Sequence, residues 1–151
     1  MQRVSVRFGW SAVAFAEIRD LNRHRTGSKY CPFLPQGFYS ALDRIPETLE
    51  EYSSHQELLQ SLSAIGAQSV STARNLMLNH DYSYIYWLLL GTQLPFEHLT
   101  TADKFIYEAE LRTGTGAHFR YAKHLHDVLD LWFQKYPTTQ SFVLEGSSEP
   151  E

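Results

Sequence analysis

The chain has 151 residues, enough for one domain with a single substantial core and too few for two large ones. At 43% hydrophobic and 20% charged it has the composition of a globular protein, and its formal net charge of -4 excludes the basic field that draws a protein onto nucleic acid. Aromatic residues reach 14%, a surplus that implies a large core or a buried interface, since each ring buries much area at little entropic cost.

The single cysteine, Cys31, excludes an internal disulfide and fits a reducing, cytoplasmic setting. No apolar run is long enough to cross a bilayer, so no membrane partner is expected. The opening residues lack the apolar stretch of a signal peptide. Val4, Val6 and Phe8 alternate with Arg3, Ser5 and Arg7, the period-two pattern of a half-buried strand. That strand begins at Met1 with no lead-in, as expected of a fragment of a longer chain. Gly9 is expected to break it, and Ser11 to cap a helix that reaches about Arg25 on an apolar stripe of Ala14, Ile18 and Leu21.

Two prolines and a glycine within Cys31–Gly37 predict a loop. Pro46, followed by Glu47, Glu50 and Glu51, marks another helix start. Leu58, Leu59, Leu62 and Ile65 continue its period, which extends past Gly66 to Asn79 with a bend or break on the way. The composition of residues 82–90 predicts a buried strand, with Pro95 closing the segment after it. Thr100 or Thr101 caps a helix carrying Phe105, Ile106 and Ala109; Gly114 and Gly116 interrupt; and a last helix runs from about Ala117 to Tyr136, stopped by Pro137. Helices outnumber two or three strands, which predicts an α+β domain. The acidic, polar end predicts a flexible tail.

Three places carry chemistry. Arg23, His24 and Arg25 are consecutive; they either complement the negative end of a helix dipole or fan around an anionic ligand. Arg74 sits beside Leu76, Met77 and Leu78, where a guanidinium must reach solvent or find an anion. Arg112 lies at a helix end ahead of Gly114 and Gly116, a place for a phosphate or carboxylate if the glycines are more than a helix stop. His118, His124 and His126 do not make a metal site, because positions 124 and 126 face opposite sides of a helix and no cysteine joins them.

These places resemble, in order, the motifs of the flavin-dependent thymidylate synthases, whose signature reads R-H-R-x-x-S-x-N-E-x-S-x-R-Y. Arg23 to Ser28 match its first half, Ala73 to Met77 resemble a downstream A-R-x-x-L element, and Glu110 to Arg112 resemble a later L-R. Arg19 matches a family arginine, whereas Asp20 stands where glutamine is usual. The resemblance runs from about Arg3 to Pro137 and lacks the family's N-terminal region. It implies a domain over residues 1–137 with a tail at 138–151, and a mostly helical fold with a small sheet.

It further implies FAD held by Arg23, His24, Arg25 and Ser28 between the subunits of a homo-tetramer, and a nucleotide, deoxyuridylate, against Arg74 and Arg19. Arg112 would be the catalytic arginine that helps ionise the uracil ring. Methylenetetrahydrofolate and NADPH would be co-substrates in the reductive methylation of dUMP to dTMP. The second half of the signature departs: Tyr30 and Cys31 replace Asn and Glu, Phe33 replaces the serine, and Pro35 the arginine that grips substrate phosphate. Each lost charge-assisted hydrogen bond is worth roughly 1.5–3 kcal/mol. The second reading is therefore a family member without turnover, kept as an oligomeric scaffold or as a partner for an intact copy.

Overall fold

The structure, a computed structural model, describes residues 4–42, 52–115, 117–144 and 146. It is α+β, with a small sheet and a larger helical share. The elements are β1 (Ser5–Ala14), α1 (Phe15–Leu21), β2 (Ser28–Tyr30), β3 (Gly37–Phe38), α2 (Tyr52–Leu78), β4 (Thr92–Thr101), α3 (Ala102–Thr113) and α4 (Phe119–Lys135). Single 3-10 turns span Tyr82–Trp87 and Pro137–Phe142. The sheet order is β1-β4-β2, and β3 also pairs with β4, antiparallel, with Gly37 opposite Gln93 and Phe38 opposite Thr92. By contact the chain divides into two units, the first of Met1–Phe8, Asp20–Lys29 and Glu97–Glu151, the second of Gly9–Arg19 and Tyr30–Phe96.

In the first unit, α3 buries Phe105, Glu108, Ala109 and Thr113, while α4 buries Tyr121, Ala122, Leu125, Val128, Leu129 and Phe133, a spacing of three and four that makes one apolar stripe. Phe8 packs against Phe105 with centroids 5.1 Å apart. Thr101 takes the N-cap position of α3 as expected, but without a side-chain cap bond. Beyond α4, Val143 is buried, the Leu144 N–H donates to Glu110 Oε1 at 2.9 Å, and the Gly146 N–H donates to Thr113 Oγ1 at 3.1 Å.

In the second unit, α2 contacts β3 and the 82–87 turn. It runs through Gly66 without the break that was one of the two expectations, and Phe38 packs its ring so close there that a Cβ on Gly66 would stand 2.1 Å from Cγ. Its C-terminus closes with His80 in the left-handed region and the Asp81 N–H donating to the Leu76 carbonyl at 2.9 Å, a Schellman-type stop.

Three sequence expectations are corrected. Gly9 does not end β1, and Ser11 caps nothing: the alternation of Val6, Phe8, Trp10 and Ala12 continues through both. The helix starts at Phe15, where the Glu17 carboxylate accepts the Ala14 N–H at 3.2 Å, and ends at Leu21 rather than Arg25. Residues 82–87 are a 3-10 turn with no buried residue, begun by Asp81 accepting the Ser83 N–H at 2.9 Å. The strand lies instead at β4, whose alternate residues Thr92, Leu94, Phe96, His98 and Thr100 are buried despite Pro95. The predicted start at Pro46–Glu51 lies outside the described residues.

Candidate functional site

The Arg-His-Arg run does not sit in a helical turn. α1 stops at Leu21, and the Arg23 N–H closes the next turn on the Asp20 carbonyl at 3.1 Å. From there to β2 the chain makes a loop, Asn22–Gly27, that would be loose on the surface if nothing held it. Among the described residues four ties hold it, all within the first unit. Lys29 Nζ donates to the Leu21 carbonyl at 3.0 Å and to that of His24, so its ammonium satisfies an end of α1 and grips mid-loop. Arg112 Nε donates to His24 Nε2 at 2.7 Å. His98 Nε2 lies 2.7 Å from the Thr26 carbonyl. Gly27 has φ +68° and passes so close to β4 that a Cβ would meet the Leu99 carbonyl oxygen at 2.2 Å.

The side chains that make these ties are themselves organised. Arg112 also reaches Tyr121 Oη at 3.3 Å, and its guanidinium lies 5.3 Å from that ring's centroid. His98 sits edge-on to Phe8, centroids 5.2 Å apart, and its Nδ1 faces Glu108 Oε2 at 3.4 Å. Both His98 and Glu108 are 1% exposed. Among the described residues neither Glu108 oxygen has a hydrogen-bond partner.

Such burial moves the proton equilibria. Glu108 is pushed up to about 7 by desolvation, against the pull of the Lys29 and Arg112 cations. Desolvation, then the charges of Arg112 and Lys29, press His24 down to about 4. His98 is lowered by burial despite the Thr26 carbonyl. Lys29 is lowered mainly by desolvation. His24 is therefore neutral near pH 7, as accepting an Arg112 N–H at Nε2 requires.

What the loop displays differs from what holds it. Arg25 and Ser28 are exposed. The Arg23 side chain is 69% exposed, and its Asp20 partner at 3.5 Å is a surface pair of small worth. Beside Arg25 lies an open cleft of about 380 Å³ lined by Asn22, His24, Arg25, Thr26, Gly27 and Lys29. A phosphate fits such a volume, and the Arg25 guanidinium and the His24 imidazole are among the groups that line it. The alternative reading of the cations as helix-dipole partners fails here, because the last helical turn holds Arg19 and the run lies beyond it.

Of the residues singled out in the sequence, His24 and Arg112 are brought into contact. Arg74 belongs to the second unit, where its Nε donates to the Pro35 carbonyl at 2.8 Å and its Nη2 to the Gln36 carbonyl at 2.6 Å. Its cleft is lined among others by Phe38, Ser71, Asn75 and Leu78. Arg19 is exposed on α1, also in the second unit. Gly114 ends α3 with φ -76°, and Gly116 lies outside the described residues. His118 accepts the Arg120 N–H at 3.3 Å, capping α4.

Sequence reasoning missed Lys29, His98, Glu108 and Tyr121. Glu108 precedes Arg112 by one helical turn, and His98 continues the Leu94–Phe96 alternation; a polar residue on each apolar stripe was the available signal. No family model matches the chain, and no curated protein matches it.

Proposed function

We propose that the chain is an FAD-binding, flavin-dependent thymidylate synthase-like protein, with the Asn22–Gly27 loop as the grip on the cofactor's phosphates. The observation that carries this reading is the cost of holding that loop. A buried imidazole, a buried carboxyl, a half-buried lysine and a half-buried arginine fix a surface turn that a few apolar contacts would fix more cheaply. Preorganised donors bind an anion without paying again for order, which is the use such a turn has. Arg23 and Arg25 meet the phosphate charges, Ser28 adds a hydroxyl, and His24, neutral, presents its remaining ring nitrogen.

Flavin held there would supply hydride in its reduced form, with methylenetetrahydrofolate as one-carbon donor and NADPH as reductant. Arg112, whose planar guanidinium matches an anionic oxygen, is the residue to stabilise negative charge developing on a uracil ring. A tetramer fits the exposed Leu78, Tyr82, Tyr86 and Leu90 of the second unit, apolar surface of the kind a second copy covers.

One observation favours a form without turnover. The substrate arginine of the resemblance, Arg74, spends two donors on the carbonyls of Pro35 and Gln36. Pro35 itself stands where the family's phosphate-gripping arginine would be. On that reading FAD binds and deoxyuridylate does not.

The visible absorption spectrum of the purified protein tests both, before and after FAD is added and then with deoxyuridylate. Bound flavin, lost in Arg23→Ala, supports the cofactor site, and a further change on adding deoxyuridylate supports the synthase. A colourless protein that stays colourless after soaking in FAD overturns the proposal.

A further inference from the structure

The contacts of His98 can be counted in protons. Its Nε2 lies 2.7 Å from the Thr26 carbonyl, and a carbonyl only accepts, so Nε2 carries hydrogen. A neutral ring then has a bare Nδ1, and that atom lies 3.4 Å from Glu108 Oε2, an oxygen with no hydrogen-bond partner among the described residues, between two side chains that are each 1% exposed. Two lone pairs brought that close in a buried site repel each other unless a proton is shared between them. The ring has spent its own hydrogen on Thr26, so the carboxyl must bring the second.

We propose that Glu108, in its protonated form, and His98 are the positioning pair of the cationic loop: the acid donates to Nδ1, which leaves Nε2–H free to hold Thr26. This rests on reading the loop as an anion site. Ionising Glu108 leaves one proton for two contacts. Either Nδ1 stays bare against a carboxylate, or the ring changes tautomer, Nδ1–H turns to Glu108, and Nε2 faces the Thr26 carbonyl with no hydrogen. The second outcome releases the loop.

The groups that face the acid are few. Lys29 from β2 and Arg112 from α3 favour its anion, His98 from β4 is its partner, and His24 stands beyond Arg112. Phe8 from β1 closes on the imidazole with an apolar ring. Burial outweighs the two cations and keeps the acid protonated into the neutral range.

Glutamine at 108 gives a sharp test, because its amide offers an N–H to Nδ1 that does not titrate. The 151-residue chain, labelled with nitrogen-15, is titrated from about pH 5.5 to about pH 9, a range that brackets the acid. Wild-type amide signals of Gly27 and Ser28 are expected to shift with a midpoint near 7, and those of Glu108→Gln to stay still. Pyrophosphate, as the probe anion, should bind the wild type about tenfold more weakly above the midpoint, the worth of one hydrogen bond, and bind Glu108→Gln without that step. Wild-type amides that do not move, or that move identically in Glu108→Gln, overturn the pair.

The unmodified protein gives a second readout that needs no variant. At about pH 6 the His98 ring should carry hydrogen on Nε2 alone; a doubly protonated ring, or hydrogen on Nδ1, overturns the assignment. If the amides titrate as expected while neither form binds pyrophosphate or FAD, the positioning pair stands and the anion-site reading falls.

Discussion

Arg25 and Lys29 are four residues apart and carry the same charge, yet they do opposite work. Lys29 is half-buried and donates to carbonyls on either side of the turn, so its charge is consumed in holding backbone. Arg25 is exposed, and its charge faces solvent and the cleft. Lys29→Met should therefore destabilise the fold by about 1–3 kcal/mol, through carbonyls left unpaired. Arg25→Met should leave stability within about 0.5 kcal/mol and weaken binding of FAD or pyrophosphate roughly tenfold or more. Urea unfolding with a binding titration on both variants checks the division; equal destabilisation by the two substitutions sinks it. The consecutive cations were legible in the sequence because like charges in a row are conspicuous. Their fastenings were not. His98 and Glu108 are single polar residues on apolar stripes, and nothing local says that a strand and a helix aim them at each other.

Elements were legible where one periodicity ruled and illegible where composition and position conflicted. The alternation from Val4 to Phe8 predicts β1 but not its passage through Gly9, because glycine alone weakens a strand while the side chains on either side of it fix the register. Here Val6, Phe8, Trp10 and Ala12 keep one face across it. The aromatic run 82–87 has strand composition, but it follows a helix stop, and Asp81 offers the next turn a cap; local capping prevailed over propensity. Gly66 shows the same conflict with a measurable sign. In an exposed helix, Gly→Ala stabilises by about 1 kcal/mol. At this position the new methyl would overlap the Phe38 ring, at 2.1 Å from its Cγ, so Gly66→Ala is expected to destabilise by about 1–3 kcal/mol. Paired with Phe38→Ala, the same change should recover its helical benefit and become neutral or stabilising, a reversal that a double-mutant cycle by urea unfolding reads directly.

At the scale of the whole molecule, a net charge of -4 coexists with one cation-rich loop, and the proton equilibria beneath it set opposing slopes on stability. His24 has a native pKa of about 4, below its ordinary value, so the unfolded chain binds the proton that the native state refuses. Its contribution therefore rises with pH from about 4 to about 6.5 and is lost on acidification. His98, lowered too, acts in the same direction. Glu108 has a native pKa of about 7, above its ordinary value, so the native state keeps a proton that the unfolded chain has released. Its contribution is complete below about pH 4.3 and declines until about pH 7. The two slopes oppose each other between about pH 4.5 and about pH 6.5, and the acid alone acts just above that. Differences between variant and wild type isolate each group. Stability of Glu108→Gln relative to wild type should improve from pH 5 to pH 8, by up to about 3 kcal/mol and less where the site relaxes. That of His24→Asn should improve in the other direction, from pH 6.5 down to about pH 4. Urea midpoints measured across this range decide it: two difference curves of the same slope would mean that the buried acid and the loop histidine do not titrate as their surroundings require.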